Sequence, residues 1–367
     1  MTNSQTVYDR VLSGRTWEEF CDKLKETGKV ILDPKAPATE LDRAEGWRYL
    51  TRLTRIALDM MLENADPDFP NFYSASHETA KIGADNPDNI YQNATIDGGR
   101  DYVIRGTRGT VPYISFATRA NRYSIDGTMP FTGEIDTDRL KVSDDGSFEI
   151  LLSQTKPDSG NWLQQAPDST MVIVRQTFLD RDSEIPAQMT IARVDGPKHP
   201  SPLSAERLDR ALMSAAAFVD GTARTFVGWT EFFRHQPNKL PALDQEMFQK
   251  AGGDPNIYYV HGYWDLKADE ALVINTKVPE CAFWNFQLDN YWMESLDYRY
   301  QKIHVNKKNA KYNTDGSITI VVAAKDSGVG NFIDTSGHRT GTMLLRWISA
   351  KDHPIPETKV VKLSSLG

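Results

Sequence analysis

"DDGSFEILLSQTKPDSGNWL" (residues 144–163) and "TDGSITIVVAAKDSGVGNFI" (residues 314–333) lie 170 residues apart and share landmarks: Asp-Gly-Ser, an alternating apolar run, then Gly-Asn-aromatic. The same offset sets Val103-Ile104 on Val273-Ile274, Tyr113 on Phe283, Phe116 on Phe286 and Ile150 on Ile320. After a slip of one residue, Arg175 falls opposite Arg346. Alternating strands resemble one another easily, but matching turn residues at matching spacing do not follow from alternation. The chain therefore reads as an internal duplication. Each half is expected to be a sandwich of seven or eight strands, and two such sandwiches suggest a double jelly roll. The expected fold class is mainly β with helical additions.

Working outward, the first 66 residues carry helical signals. Thr16 and Glu19 form a capping-box pattern, Gly28 can end that helix, and Thr39 can open another. In the second segment Leu41, Ala44, Trp47, Leu50, Ala57 and Met61 recur near the helical period and are expected to face a core. From about residue 89 the period becomes two, and Gly, Asp, Pro and Asn turns punctuate short apolar runs. Residues 201–235 return to helical spacing with Ser204 as cap, and a short helix is expected near 242–251. This divides the chain into an N-terminal helical segment (1–66), a first β-sandwich (67–200), inserted helices (201–255) and a second β-sandwich (256–367). Pro354 and Pro356 would confine any C-terminal strand to a sheet edge.

Composition narrows the function. The chain has 367 residues, 40% of them hydrophobic and 25% charged, as in soluble globular proteins, and a net charge of −8. That charge argues against binding a phosphate backbone, so no nucleic-acid partner is expected. The start, "MTNSQTVYDR", lacks a secretory pattern, and no apolar run reaches the roughly 20 residues that span a bilayer, so a cytoplasmic protein without a membrane partner is expected. Cys21 and Cys281 are expected to be buried, unpaired residues. The seven His show no metal-ligand spacing, and no phosphate-binding glycine loop is present. Neither a metal nor an organic cofactor is therefore expected.

The strings "GNWL", "MVIVRQTFLDRDSEIPA", "FWNFQLDNYWMESLDYR" and "DSGVGNFIDTSGHRTGTMLLRW" resemble the bacterial family catalogued as domain of unknown function 1214, over about residues 85–350. Ser327 stands where that family usually has Pro, and Phe332 where it usually has Trp. The resemblance implies a fold with β-sandwich and helical parts and supplies no reaction.

Chemistry must come from the residues. Those shared by both halves, Asn161 with Asn331 and Arg175 with Arg346, can be explained by the common fold. The segment Asp334-Thr335-Ser336-Gly337-His338-Arg339 has no counterpart in the first half. A His338 held by Asp334 would suit acid–base catalysis, or His338 could simply close a turn on a backbone carbonyl. No G-x-S-x-G elbow presents a serine nucleophile. On an extended strand Asn285, Gln287 and Asp289 would line one face and Trp284, Phe286 and Leu288 the other. Glu294 and Asp297 could form a carboxylate pair of the kind used in glycoside hydrolysis, or Asp297 could pair with Arg299.

The expected catalytic set is thus His338, Asp334, Arg346, Glu294 and Asp297. Trp284, Asn285, Gln287, Trp292, Tyr298, Asn331 and Trp162 are the expected substrate contacts. The expected activity is cofactor-independent hydrolysis or elimination on a small polar molecule such as a glycoside. A hydrophobic substrate, terpenoid or steroid, stays open, as does a non-catalytic assembly or binding role. A homo-oligomer is expected, because open sandwiches leave edge strands to cover.

Overall fold

The alternating runs of the two offset stretches become strands of two sandwiches in a computed structural model that describes residues 6–122 and 125–366. The first holds β1 (Asn89–Thr95), β2 (Tyr102–Thr107), β3 (Tyr113–Arg119), β4 (Phe131–Asp136), β5 (Ser147–Ser153), β6 (Asn161–Gln164), β7 (Met171–Thr177) and β8 (Gln188–Arg193). The second holds β9 (Ile257–Asp265), β10 (Glu270–Thr276), β11 (Phe283–Leu288), β12 (His304–Asn306), β13 (Ile318–Ala323), β14 (Asn331–Asp334), β15 (Thr340–Ile348) and β16 (Glu357–Lys362). Sheets β1-β7-β3-β4 and β6-β5-β2-β8 in the first correspond strand for strand to β9-β15-β11-β12 and β14-β13-β10-β16 in the second. The duplication is therefore one of topology as well as sequence. β5–β6 and β13–β14 pair in parallel.

Hydrogen bonds repeat at the same offset. The Asn161 side chain accepts from Lys141 N (2.7 Å) and donates to Lys141 O (2.8 Å) and Glu149 O (2.9 Å). Asn331 accepts from Lys311 N (2.7 Å) and donates to Lys311 O (2.9 Å) and Thr319 O (3.0 Å). Each amide satisfies three backbone groups that would otherwise be left open beside a parallel strand pair. Gly146 and Gly316 sit at φ +82° and +80° in the two Asp-Gly-Ser turns, a conformation in which glycine meets no Cβ penalty.

Alternation sends one face of every sheet inward. Ile104, Phe116, Ile150 and Val174 belong to the first core, and Trp264, Trp284, Phe286, Ile320 and Trp347 to the second. Burying each such side chain contributes about 1.5–3 kcal/mol, which makes these faces the main source of stability. The C-terminal strand is β16, at the edge of its sheet beside β10; Pro354 and Pro356 lie just before it rather than within it.

The helices are α1 (Val7–Leu12), α2 (Arg15–Thr27), α3 (Glu40–Leu58), α4 (Ala205–Arg234) and α5 (Gln245–Lys250). Thr39 and Ser204 cap α3 and α4 through bonds to Asp42 N (3.1 Å) and Arg207 N (3.2 Å). Thr16 does not cap α2. Gly14 precedes that helix at φ +80°, and the Thr16 hydroxyl, already inside the first turn, donates to Asp209. The buried face of α3 also differs from expectation. Asp42, Tyr49, Leu53, Ile56 and Ala57 are buried, whereas Leu41 and Trp47 are exposed. Periodicity located the helix, but a broad apolar girdle left its rotation undetermined. Cys281 is buried as expected, whereas Cys21 is exposed; both are unpaired.

The chain divides into two units: residues 6–33, 50–80 and 88–223 with the first sandwich, and residues 34–49, 81–87 and 224–366 with the second. The N-terminal helical segment and the inserted helices contribute residues to both units. Among the described residues no helix is long and apolar enough to cross a membrane.

Candidate acid–base site

Strand β11 carries the polar row expected on it. Trp284, Phe286 and Leu288 enter the second core, so Asn285, Gln287 and the following Asp289 face the other way. That outer face is nevertheless closed to solvent, with all three residues at 0% exposure. Part of its cover comes from residues 81–87 of the same unit: Asn86 accepts a bond from Asn285 (2.5 Å) and Asp85 O one from Gln287 (2.9 Å).

Arg346 of β15 stands opposite Asn285 in the ladder. Its guanidinium donates to Gln287 Oε1 (2.5 Å), Ala84 O (2.5 Å) and Asn285 Oδ1 (3.4 Å), which uses the fixed fork of donors that only Arg offers. Gln287 passes the connection on, donating to Asp289 Oδ1 (2.6 Å), and the Thr342 hydroxyl donates to Asp289 Oδ2 (3.2 Å). Burial, opposed by the Gln287 bond and reinforced by the Asp85 charge, pushes the Asp289 carboxyl up to about 7. Asp85 is held differently: the Ser295 N–H (3.0 Å) and hydroxyl (2.7 Å) both donate to it. Lys81 donates to Ser295 O (2.6 Å) and Leu296 O (2.8 Å).

Beyond Asp289 the chain makes a tight buried turn. The Asn290 side chain accepts from Trp292 N (2.9 Å) and Glu294 N (3.1 Å), and Met293 adopts φ +55°. Ala84, which receives Arg346, sits at φ +56° and donates its N–H to Met293 O (2.6 Å). Ser336, two residues before His338, sits at φ +51°. Left-handed backbone costs non-glycine residues of order 1–3 kcal/mol, and here it recurs around one buried polar network.

The imidazole of His338 does meet a carboxylate, but it is Glu45 of α3 rather than Asp334. Nε2 lies 2.7 Å from Glu45 Oε2 and Nδ1 lies 3.1 Å from Thr335 O. Burial opposes charging of His338, but the bond to Glu45 and its negative charge outweigh that and raise its pKa. Glu45 is held below its usual range because His338 outweighs burial in the same way. Asp334 is engaged locally, accepting from Ser336 N (2.7 Å), which explains why it does not reach the imidazole. Asn290 ties Glu45 to the buried turn by donating to Glu45 (2.9 Å) and Glu294 (2.8 Å).

The remaining candidates lie elsewhere. Trp284 is inside the core with its indole N–H on Tyr312 (3.2 Å), and Trp292 is buried, stacked 6.2 Å from Tyr49 and bonded to Asp42 O (3.1 Å). Asp297 pairs with Arg299 (2.7 Å), which lowers it to about 2, so it does not pair with Glu294. Tyr298 lies under the Lys81 ammonium, 4.7 Å from its ring centroid. Trp162 belongs to the first unit, where it lines an open cavity of about 480 Å³ together with Phe131, Arg139 and Lys156. His261 is buried between aromatic rings, with Phe233 stacked at 4.9 Å, and burial holds it well below its usual pKa.

Thus Arg346, Asn285 and Gln287 converge; the turn that carries Glu294 meets them through the Ala84 N–H on Met293 O, and Asn290 ties Glu294 to Glu45 and so to His338. Sequence reasoning did not select Glu45, Lys81, Asp85 or Asn86, which lie some 200 or more residues from their partners. Among the described residues no three His, Cys, Asp or Glu converge as metal ligands.

Comparison with known proteins agrees with the duplicated architecture. The family described as protein of unknown function (DUF1214) matches at residues 91–177 and again at 264–352, once in each sandwich. An uncharacterized protein from Burkholderia cenocepacia is 53% identical, with 97% of this chain and 99% of that chain covered and a TM-score of 0.95. A protein from Vibrio parahaemolyticus shares the fold at 13% identity and a TM-score of 0.50, over 86% of this chain and 98% of that one. No curated protein matches.

Proposed function

We propose that this chain, which belongs to the DUF1214 family, is an enzyme that carries out acid–base hydrolysis or elimination on a small polar molecule without an organic cofactor. The observation that carries the reading is Asp289: a fully buried carboxyl pushed up to about 7, in one hydrogen-bonded chain with Gln287 and Arg346. Such a group can accept or deliver a proton at neutral pH, which an ordinary carboxyl cannot do efficiently.

In this reading Asp289 transfers the proton, and Asp85, fixed by Ser295, is the second carboxylate. Arg346 stabilises negative charge as it develops, while Asn285 and Gln287 orient the substrate. The His338–Glu45 pair positions the turn through Asn290. A pair of carboxylates with unlike environments favours a glycoside-type substrate, and the row of amides favours a polar molecule over a terpenoid or steroid. The Arg346–Ala84 and Asn285–Asn86 bonds must open to admit it, while Asp85 stays anchored on Ser295. Both bonds are polar, so substrate groups can replace them.

The test is release of 4-nitrophenol from a panel of 4-nitrophenyl glycosides between pH 5 and 9. Asp289→Asn should lower kcat about 100-fold or more while the fold persists. Full turnover by that variant, or no release from any glycoside by the native chain, would remove the glycosidase assignment.

A binding role has its own support in the cavity beside Trp162. Exposed Phe131 and partly exposed Trp162, with Arg139, Lys156 and Gln164 nearby, offer stacking and hydrogen bonding to a polar ring. Saturable binding of an oligosaccharide that Trp162→Ala abolishes, without any turnover, is the result this second reading expects.

A further inference from the structure

A separate cavity of the first unit differs in character from both sites above. It encloses about 330 Å³, at the lower end of small-molecule cavities. One wall is the end of α3, where Asp59–Glu63 forms a π-helical turn closed by the Asn64 N–H on Asp59 O (2.9 Å). π-turns interrupt helices mostly where a site needs the space. Met60, Met61 and Leu62 of this turn supply apolar surface, with Leu203 and Ala211 also lining the cavity. The methionines can adapt to an irregular ligand.

Two arginines share the lining, and they differ. Arg207 is neutralised by Asp66 at 3.1 Å. Arg210 is exposed and, among the described residues, forms no salt bridge, although its charge is felt by Glu206 one turn earlier on α4. Apolar side chains beside a guanidinium held in no salt bridge, with Thr95, Thr170 and Ser214 as further hydrogen-bonding groups, complement a molecule with one carboxylate and an apolar body. We infer that this cavity binds a monocarboxylate carrying an unbranched apolar chain of medium length, its head on Arg210 and its chain along the π-turn.

The experiment is isothermal titration of the full chain with decanoate, with decanol as the uncharged control. Decanoate should bind saturably, with decanol at least 10-fold weaker. Arg210→Glu, on an exposed position, should weaken decanoate at least 10-fold without changing Tm. Leu203→Asp, also at an exposed position, should do the same by removing apolar wall and adding charge. Absence of decanoate binding, equal binding of decanol, or affinity unchanged by both variants would overturn the inference.

Discussion

Replacing Asp289 by Asn removes one ionisable proton and little else. With its carboxyl at about 7 in the folded chain and near 3.8 when unfolded, the neutral form is the one the fold favours. Below pH 4 the group therefore costs nothing. As pH rises from about 4 towards 7 the unfolded chain sheds its proton first, and the folded state loses stability until both forms are ionised. At 1.36 kcal/mol per pH unit, the loss levels off at about 4 kcal/mol above pH 7. Asparagine keeps the oxygen that accepts from Gln287, and the Thr342 hydroxyl can turn from donor to acceptor, a rearrangement worth about 1 kcal/mol. Asp289→Asn should then stabilise the second unit by about 3 kcal/mol at pH 8 and by almost nothing at pH 4. Urea unfolding followed by fluorescence measures this, since Trp47, Trp229, Trp264, Trp284, Trp292 and Trp347, of eight tryptophans, lie in that unit. A residue retained for chemistry is commonly one whose neutral replacement gains stability. A variant less stable than the native chain at pH 8, or a difference that does not change with pH, would refute the reasoning.

His338→Ala should destabilise the second unit by about 2 kcal/mol, because part-buried Glu45 loses its imidazole partner while keeping Arg48 (2.8 Å) and Asn290 (2.9 Å). The native pair has a pH window: the raised His338 contribution is complete below about 6.5 and lost as pH climbs through its folded pKa, while that of Glu45 is complete above about 4.5 and lost as pH falls through its lowered one. Chemical denaturation across pH should show both flanks in the native chain and no upper flank in His338→Ala. Arg346→Lys should cost about 2–3 kcal/mol, since one ammonium cannot reproduce the fork that serves Gln287 and Ala84; thermal unfolding checks it. Asn161→Ala and Asn331→Ala should each cost about 2–3 kcal/mol in their own unit, because each opens the same three backbone bonds, and unequal losses in denaturation would contradict equivalent roles.

The duplication was legible because it depends on local signals: left-handed glycines in turns, alternation along strands, and an Asn that ties a loop to its own sandwich. The two faces of β11 were legible for the same reason, and Trp284 inside with Asn285 outside is what a period of two dictates. What lies over the outer face was not. Trp292, Asn285 and Gln287 resemble substrate contacts in sequence, yet the chain's own residues 81–87 and the start of α3 occupy their polar groups. The partner of His338 was misassigned because Asp334, four residues away, spends its carboxylate on the Ser336 N–H, while Glu45 arrives from 293 residues upstream. The rotation of α3 failed similarly: Trp47 fits an apolar stripe, but Tyr49 is the residue that stacks on Trp292.

The central claim is that Asp289 holds a proton at neutral pH, and carboxyl carbon-13 NMR tests it directly. With aspartate labelled at the side-chain carboxyl and the Asp289 signal identified by its absence in Asp289→Asn, a titration from pH 3 to 9 should place its midpoint near 7. A midpoint below 5 would show that the buried network holds an anion, and the acid–base assignment would fall with it.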